Sequence, residues 1–376
     1  MELDQQFKEF LAEIRPTDNQ KNDMKKGHTL LRERLMQFEK LKPIIVTSFI
    51  QGSYRRSTAV RPKSDKRSDV DIVVVTNLPE AKYTPNQAMG LFKPFLNTHY
   101  KDKWRTQGRS FGIELSYVEL DLVITSAPSE VDQENYRCDA VSGIDLLEDV
   151  PDWRFNASWK SIHNRVGYSE LMKKAASEPE WKLNPLRIPD RNSGNWENTH
   201  PLEQIRWTRD KNCNTNGHFV NVVKALKWWR LENYSEPKHP KGFPLERLIG
   251  ECCPDEICSV AQGIVETLEK IRDKYQVTVL SNSKPRLSDY GVPEHDVFKR
   301  ISADDFAKFY EQVKEGAALA RKAYDYNSKS ESGKLWRELL GDKFPLPPEE
   351  KKSQNNSSGG FTQPTGPAVP RSGRFA

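Results

Sequence analysis

Long hydrophobic runs are missing from this 376-residue chain. No apolar stretch approaches the roughly 20 residues that a helix needs to span a bilayer. The opening MELDQQFKEF is acidic and amphipathic, unlike a secretory signal. The chain therefore reads as cytoplasmic, with no membrane partner. Cysteine is scarce as well: five residues, an odd number without framework spacing, exclude a disulfide scaffold and fit a reducing compartment. Charge of one sign is not in large excess, with 58 basic against 53 acidic residues and a formal net charge of +5. A basic excess this small offers little support for a nucleic-acid activator. Internal repeats are absent. The hydrophobic fraction of 36% is low but sufficient for one large or two medium cored domains, so global disorder is excluded.

What is present begins with two helical patterns, over residues 4–14 and 20–40, broken at Pro16 and Thr17; Leu30, Leu31, Leu35 and Phe38 show the helical spacing of the second. PIIVTSFI and DIVVVTNL read as buried strands, residues 84–100 as a helix, and GIELSYVELDLVIT as a third, long strand. From about residue 126 to 200 the pattern dissolves into what reads as long loops between short helices. Amphipathic helices then follow in HPLEQIRW, HFVNVVKALKWWRLENY, PLERLIGE, SVAQGIVETLEKIRDKY and ADDFAKFYEQVKEGAALARKAY. The expected organisation is N-terminal helices over 1–40, a mixed α/β core over 41–200, a helical domain over 201–345 and a disordered tail over 346–376, rich in Ser, Gly, Pro and Asn.

The chemistry concentrates in FIQGSYRRSTAVRPKSDKRSDVDIVVVTNL, residues 49–78. Asp69 and Asp71 lie two apart at a strand entrance, so the period of two points both carboxylates to one face. Carboxylates there are costly to desolvate unless something positive meets them. Asp121, in the apolar strand VELDLVIT, can complete a three-carboxylate cluster. Glu119 falls on the same face and competes for that role; Asp121 is preferred for its shorter side chain and apolar neighbours. Oxygen-only ligands and phosphate chemistry point to two Mg²⁺ ions, with Mn²⁺ able to substitute. Earlier in the chain, Gly52 lets the backbone approach a phosphate, Ser53 offers a hydroxyl, and the following amides open a helix whose positive end faces an anion. A Gly-Ser pair alone is usually a turn, and an Asp-x-Asp alone is usually a solvated loop. Joined at this spacing between apolar strands, with a third Asp beyond, they describe a triphosphate cradle beside a metal site. Tyr54, Trp228 and Trp229 could stack a base, but core packing is the favoured reading. Cys252, Cys253, Cys258 and His239 have irregular spacing and read as small buried thiols rather than a zinc set.

At these residues the sequence resembles the nucleotidyltransferases of the polymerase-beta superfamily. More narrowly it resembles the bacterial CD-NTases, relatives of cyclic GMP-AMP synthase and oligoadenylate synthase, and among them the clade D enzymes of anti-phage (CBASS) signalling. QGSYRRSTAVRP is similar to that family's Gly-Ser segment, DVDIVVV to its paired acidic strand and ELDLVIT to its third-aspartate strand; the likeness continues through IPDRNSGNWENTHP, VVKALKWW and PKGFPLERLI, covering most of residues 20–340. The resemblance implies an α+β fold: a polymerase-beta-like core plus a C-terminal helical domain, two lobes around a cleft. It implies a cyclic di- or trinucleotide made from ATP, with or without GTP. By position, Gly52 and Ser53 would contact the donor triphosphate, and Asp69, Asp71 and Asp121 would ligate both metal ions. Lys227 resembles the helical-domain lysine that reaches the donor phosphates, and Lys241 the lysine of a later Lys-Ser-aromatic-x-Leu-Glu segment. Here Gly242 departs from the pattern, standing where many relatives have Ser. In many such systems an enzyme with E1- and E2-like activities conjugates the synthase through its C-terminus, and SGRFA, ending at Ala376, fits that handle.

Two rival readings share these residues. A linear oligoadenylate or poly(A)-type transferase makes the same first bond. A nucleotide-binding module that has lost catalysis would keep the scaffold, although all three acidic positions are occupied.

Overall fold

A computed structural model describes residues 1–63, 66–126, 185–233 and 240–348. The expected tail, with its C-terminal handle at Ala376, and the stretch from 127 to 184 lie outside the described residues, as does His239. Helix α1 (Asp4–Ile14) ends before Pro16, whose ring drives Arg15 to an extended conformation with ψ 153°. Helix α2 (Asp18–Gln37) restarts on a capping box in which Thr17 and Gln20 satisfy each other's backbone amides.

Strands β1 (Ile45–Gln51), β2 (Asp69–Thr76), β3 (Trp104–Thr106), β4 (Phe111–Glu114) and β5 (Glu119–Thr125) form one sheet in the order β1-β2-β5-β4-β3. The β2–β5 pair is parallel and its neighbours are antiparallel. Ile72 and Val74 of β2 and Leu120, Leu122 and Ile124 of β5 point to the core beneath α2, with Met24, Leu31 and Leu35. Val73 and Val75 point to the opposite face, against Val46, Phe49 and Leu186. Asp69, Asp71 and Asp121 share the parity of that second face.

Three expectations need correction. The long strand over 112–125 is the hairpin β4–β5, closed by Leu115 N–H donating to the Val118 carbonyl at 3.0 Å. The helix over 84–100 is two short helices, α4 (Pro85–Gly90) and α5 (Lys93–His99). Pro94 has no N–H to give the Gly90 carbonyl, and the helix restarts around it. Within the stretch read as loops, β6 (Leu186–Asp190) and β7 (Asn195–Thr199) form an antiparallel hairpin.

The remaining helices are α6 (Pro201–Asn214), α7 (Phe219–Asn233), α8 (Phe243–Cys252), α9 (Val260–Leu280), α10 (Ala303–Asp325) and α11 (Lys329–Leu340). Ser259, Ser302 and Ser328 cap α9, α10 and α11 by accepting from the amide three residues on. Helix α7 is buried on nearly every side and forms the axis of this lobe. Trp228 and Trp229 are both buried there, as the core-packing reading expects. The first helix joins the same core: Phe7 packs edge-on against Trp336 and Phe344, each at 5.0 Å between centroids. Trp336 Nε1 ties the N-terminus down by donating to the Met1 carbonyl at 3.1 Å. Thus α1 belongs to the helical core and α2 to the sheet core. Among the described residues, no helix is long and apolar enough to cross a membrane.

Candidate active site

The parallel register sets Asp71 directly beside Asp121 and Asp69 beside Glu119. One carboxylate oxygen from each of Asp69, Asp71 and Asp121 lies within 4.8 Å of the others. Among the described residues this is the one group of His, Cys, Asp or Glu side chains close enough to share a metal ion. Cys252 and Cys253 are buried, their thiols pushed up by desolvation to about 12 and about 11, whereas Cys258 is exposed, which corrects its reading as a buried thiol.

Desolvation governs this cluster, and like charge adds to it at Asp69 and Asp121. Desolvation raises the Asp69 carboxyl to about 8, helped by Asp71, Asp121 and Glu119, although the residue as a whole is exposed to solvent. Burial lifts Asp121 to about 6, with Asp71 adding to it. Burial also raises Asp71, against the pull of Arg56 and Lys227. Three carboxylates held this close with raised proton affinities are a hard, oxygen-only donor set, and a divalent cation relieves their repulsion. The residues fit the metal that the sequence implies.

Two supports fix the acids. Gln107, in the β3–β4 turn, donates from Nε2 to Asp121 Oδ1 at 3.0 Å and accepts from Ser110 Oγ at 2.9 Å, which fixes the direction of the amide. Gly112 faces Asp121 across the β4–β5 pair, and a Cβ there would crowd Gln107 Nε2 at 2.6 Å. On the other side Gly52 backs Asp71. Its φ is +78°, and a Cβ built on it would overlap the Asp71 carboxylate. Gly52 and Ser53 open α3 (Gly52–Arg55), a single helical turn whose first amides have no partner within the helix. The Ser53 carbonyl accepts from Thr58 N–H at 2.9 Å and Ala59 N–H at 3.1 Å, which closes the loop behind the turn. Tyr54 packs with His28 and the sheet core.

Lys227 lies close enough to Asp71 to act on its carboxyl. Its Nζ donates to Glu246 Oε1 at 2.9 Å and to the Thr58 carbonyl at 3.0 Å. Glu246 is buried and accepts on its other oxygen from Arg56 Nε at 3.1 Å. Burial alone would raise Glu246, but Arg56 and Lys227 together hold it at about 2. Lys241 is exposed at the approach to α8. The adjacent Gly242 has φ +58° and ψ −134°, a conformation that a serine would enter only under strain, so backbone shape accounts for the missing hydroxyl. Sequence reasoning did not single out Arg56, Gln107 or Glu246. Arg56 and Glu246 sat inside quoted motifs, but nothing local in the sequence marks their pairing.

A glycine-backed turn beside three aspartates on adjacent parallel strands is the arrangement of a nucleotidyltransferase. Residues 1–138 match the Second Messenger Oligonucleotide or Dinucleotide Synthetase (SMODS) domain. A cyclic AMP-AMP-GMP synthase of Enterobacter hormaechei is 50% identical over 384 residues, covering 100% of both chains. A cyclic AMP-AMP-AMP synthase of an Acinetobacter species is 30% identical over 395 residues, covering 100% of this chain and 98% of the relative. Among solved structures, the CD-NTase CdnG of Bradyrhizobium diazoefficiens in complex with GTP superposes with a TM-score of 0.62 at 10% identity, covering 90% of this chain and 95% of that one. The chain belongs to the CD-NTase family of cyclic oligonucleotide synthases.

Proposed function

We propose that the protein joins ATP and GTP, without a template, into a cyclic trinucleotide of two adenylates and one guanylate, a second messenger of bacterial anti-phage defence. The observation that carries the chemistry is the convergence of Asp69, Asp71 and Asp121 within 4.8 Å. The choice of product is supported by the full-length identity of 50% to a cyclic AMP-AMP-GMP synthase.

In this reading Asp69, Asp71 and Asp121 hold two Mg²⁺ ions, which when bound supply charge to the reacting phosphate and lower the pKa of the attacking hydroxyl. The amides of Gly52 and Ser53, and the Ser53 hydroxyl, cradle the donor triphosphate at the mouth of α3. Lys227 turns from Glu246 to the donor phosphates, and Lys241 meets them from the edge of the helical lobe. Asp121, with one oxygen held by Gln107, presents the other to the ribose hydroxyl of the incoming nucleotide. Attack on the α-phosphate forms a phosphodiester and releases pyrophosphate, and a linear intermediate re-enters for closure. The same reading assigns the C-terminal carboxylate of Ala376 to an E1/E2-like conjugating enzyme.

Incubation with Mg²⁺, labelled ATP and GTP is expected to give a phosphatase-resistant product with the mass of a ring of two AMP and one GMP. A product that phosphatase shortens would identify a linear polymerase, and no product at all would favour a binding module. The raised carboxyls give a second expectation. Desolvation and the neighbouring carboxylates push Asp69 up to about 8, so the metal-free cluster as a whole holds a proton near pH 7. A cation favours the charged form, so Mg²⁺ binding at pH 7 releases protons. Calorimetry in buffers of different ionisation enthalpy reads this directly, and heats independent of buffer would contradict it.

A further inference from the structure

Glu246 lies in α8 of the helical lobe, and its carboxylate is where that lobe grips the phosphate turn. One oxygen takes Lys227 Nζ at 2.9 Å and the other takes Arg56 Nε at 3.1 Å, and Lys227 reaches on to the Thr58 carbonyl at 3.0 Å. Arg56 sits one residue past α3, and its own amide donates to the Gly52 carbonyl at 3.0 Å. Its guanidinium lies over the Phe243 ring at 5.2 Å, which leaves the side chain little freedom. Side-chain exposure is 5% for Arg56, 11% for Lys227 and 6% for Glu246, so water screens these charges weakly. Gly52, whose carbonyl holds the Arg56 amide, lies directly against the Asp71 carboxylate, and all three charges act on Asp71. Two cations beside a metal-binding carboxylate are rivals of the metal, because a guanidinium or ammonium that closes on Asp71 occupies the oxygen the metal needs.

We propose that Glu246 is a positioning residue for the divalent-metal site: it holds Arg56 and Lys227 off Asp71 and cancels one of their two charges. The proposal rests on the metal-site reading above. It gives a buried glutamate in the helical lobe a role in metal affinity, through charge rather than ligation. Removing its charge leaves one more uncompensated positive charge beside the metal site, and for a divalent ion this weakens binding on the order of tenfold.

The test is Mn²⁺ affinity, read by electron paramagnetic resonance of free Mn²⁺ without nucleotide, so that turnover does not enter. Glu246→Gln is expected to weaken binding on the order of tenfold. The double variant Glu246→Gln/Arg56→Gln removes one charge of each sign and is expected to return to within about threefold of wild type. A glutamate that served only packing would leave the double variant no better than the single one. Arg56→Gln alone is expected to tighten Mn²⁺ binding, and it decides the matter if Glu246→Gln fails to fold. Unchanged affinity in a folded Glu246→Gln, or weaker binding in Arg56→Gln, overturns the proposal. Absence of Mn²⁺ binding in wild type would instead remove the metal-site reading, and the proposal with it.

Discussion

Asp71→Asn is expected to abolish product formation, lowering the rate of pyrophosphate release roughly a thousandfold or more, the scale of several kcal/mol of lost transition-state stabilisation. Asp71 is the middle member of the cluster, in register with Asp121 on one side and backed by Gly52 on the other. An amide fills the same space but supplies no negative charge. The fold should survive. A carboxyl whose folded pKa is raised contributes most to stability below its unfolded value, and that contribution is lost as pH rises through the folded pKa. With Asp69 at about 8, metal-free wild type should lose stability between about pH 4 and pH 8. Asp71→Asn relieves part of that repulsion. Its melting temperature without metal should equal or exceed wild type at pH 8, with the difference shrinking at pH 4. A folded variant of this kind retaining a tenth of wild-type activity would contradict the assignment.

Gly52→Ala is expected to be nearly as damaging, for a different reason. The added Cβ would overlap the Asp71 carboxylate, and φ +78° is a left-handed conformation costly for alanine. Either Asp71 rotates out of the cluster or the turn moves, and both separate the proposed phosphate cradle from the acids. Activity should fall about a hundredfold or more, with stability lower by about 1–3 kcal/mol. Ser53→Ala removes one hydroxyl but keeps the amides, so its loss should stay within about tenfold. Steady-state rates and thermal melts on the two variants check the contrast; equal mild effects would show that the turn does not depend on the close approach of Gly52.

Much of the site was legible because strand parity is a local property. Asp69 and Asp71 stand two apart in an apolar run, so they share a face wherever the strand is placed. The register that sets Asp71 beside Asp121 is a tertiary fact, decided by the parallel β2–β5 pairing. The β4–β5 hairpin carries little turn chemistry: Leu115, Ser116, Tyr117 and Val118 contain no Gly, Pro, Asn or Asp, and its one mark is a change of phase in the alternation, from Ile113, Leu115 and Tyr117 to Val118, Leu120 and Leu122. Pro189 concealed β6, since proline argues against a strand. The Arg56–Glu246 pair joins residues 190 positions apart, and nothing in either segment foretells the partner. The two opening helices, adjacent in sequence and alike in pattern, bury into different cores, a choice made by Phe7 and Phe10 meeting Phe344.

The central claim is that three aspartates, brought together by one parallel strand pair, hold the divalent ions of a nucleotide-joining reaction. Anomalous diffraction from crystals grown with Mn²⁺ and a non-hydrolysable ATP analogue tests it most directly. The account predicts two peaks about 3.5–4 Å apart, one or both within about 2.3 Å of oxygens from Asp69, Asp71 and Asp121, with the triphosphate against Gly52 and Ser53. Manganese bound elsewhere, or a triphosphate seated away from that turn while the three carboxylates stay bare, would contradict it.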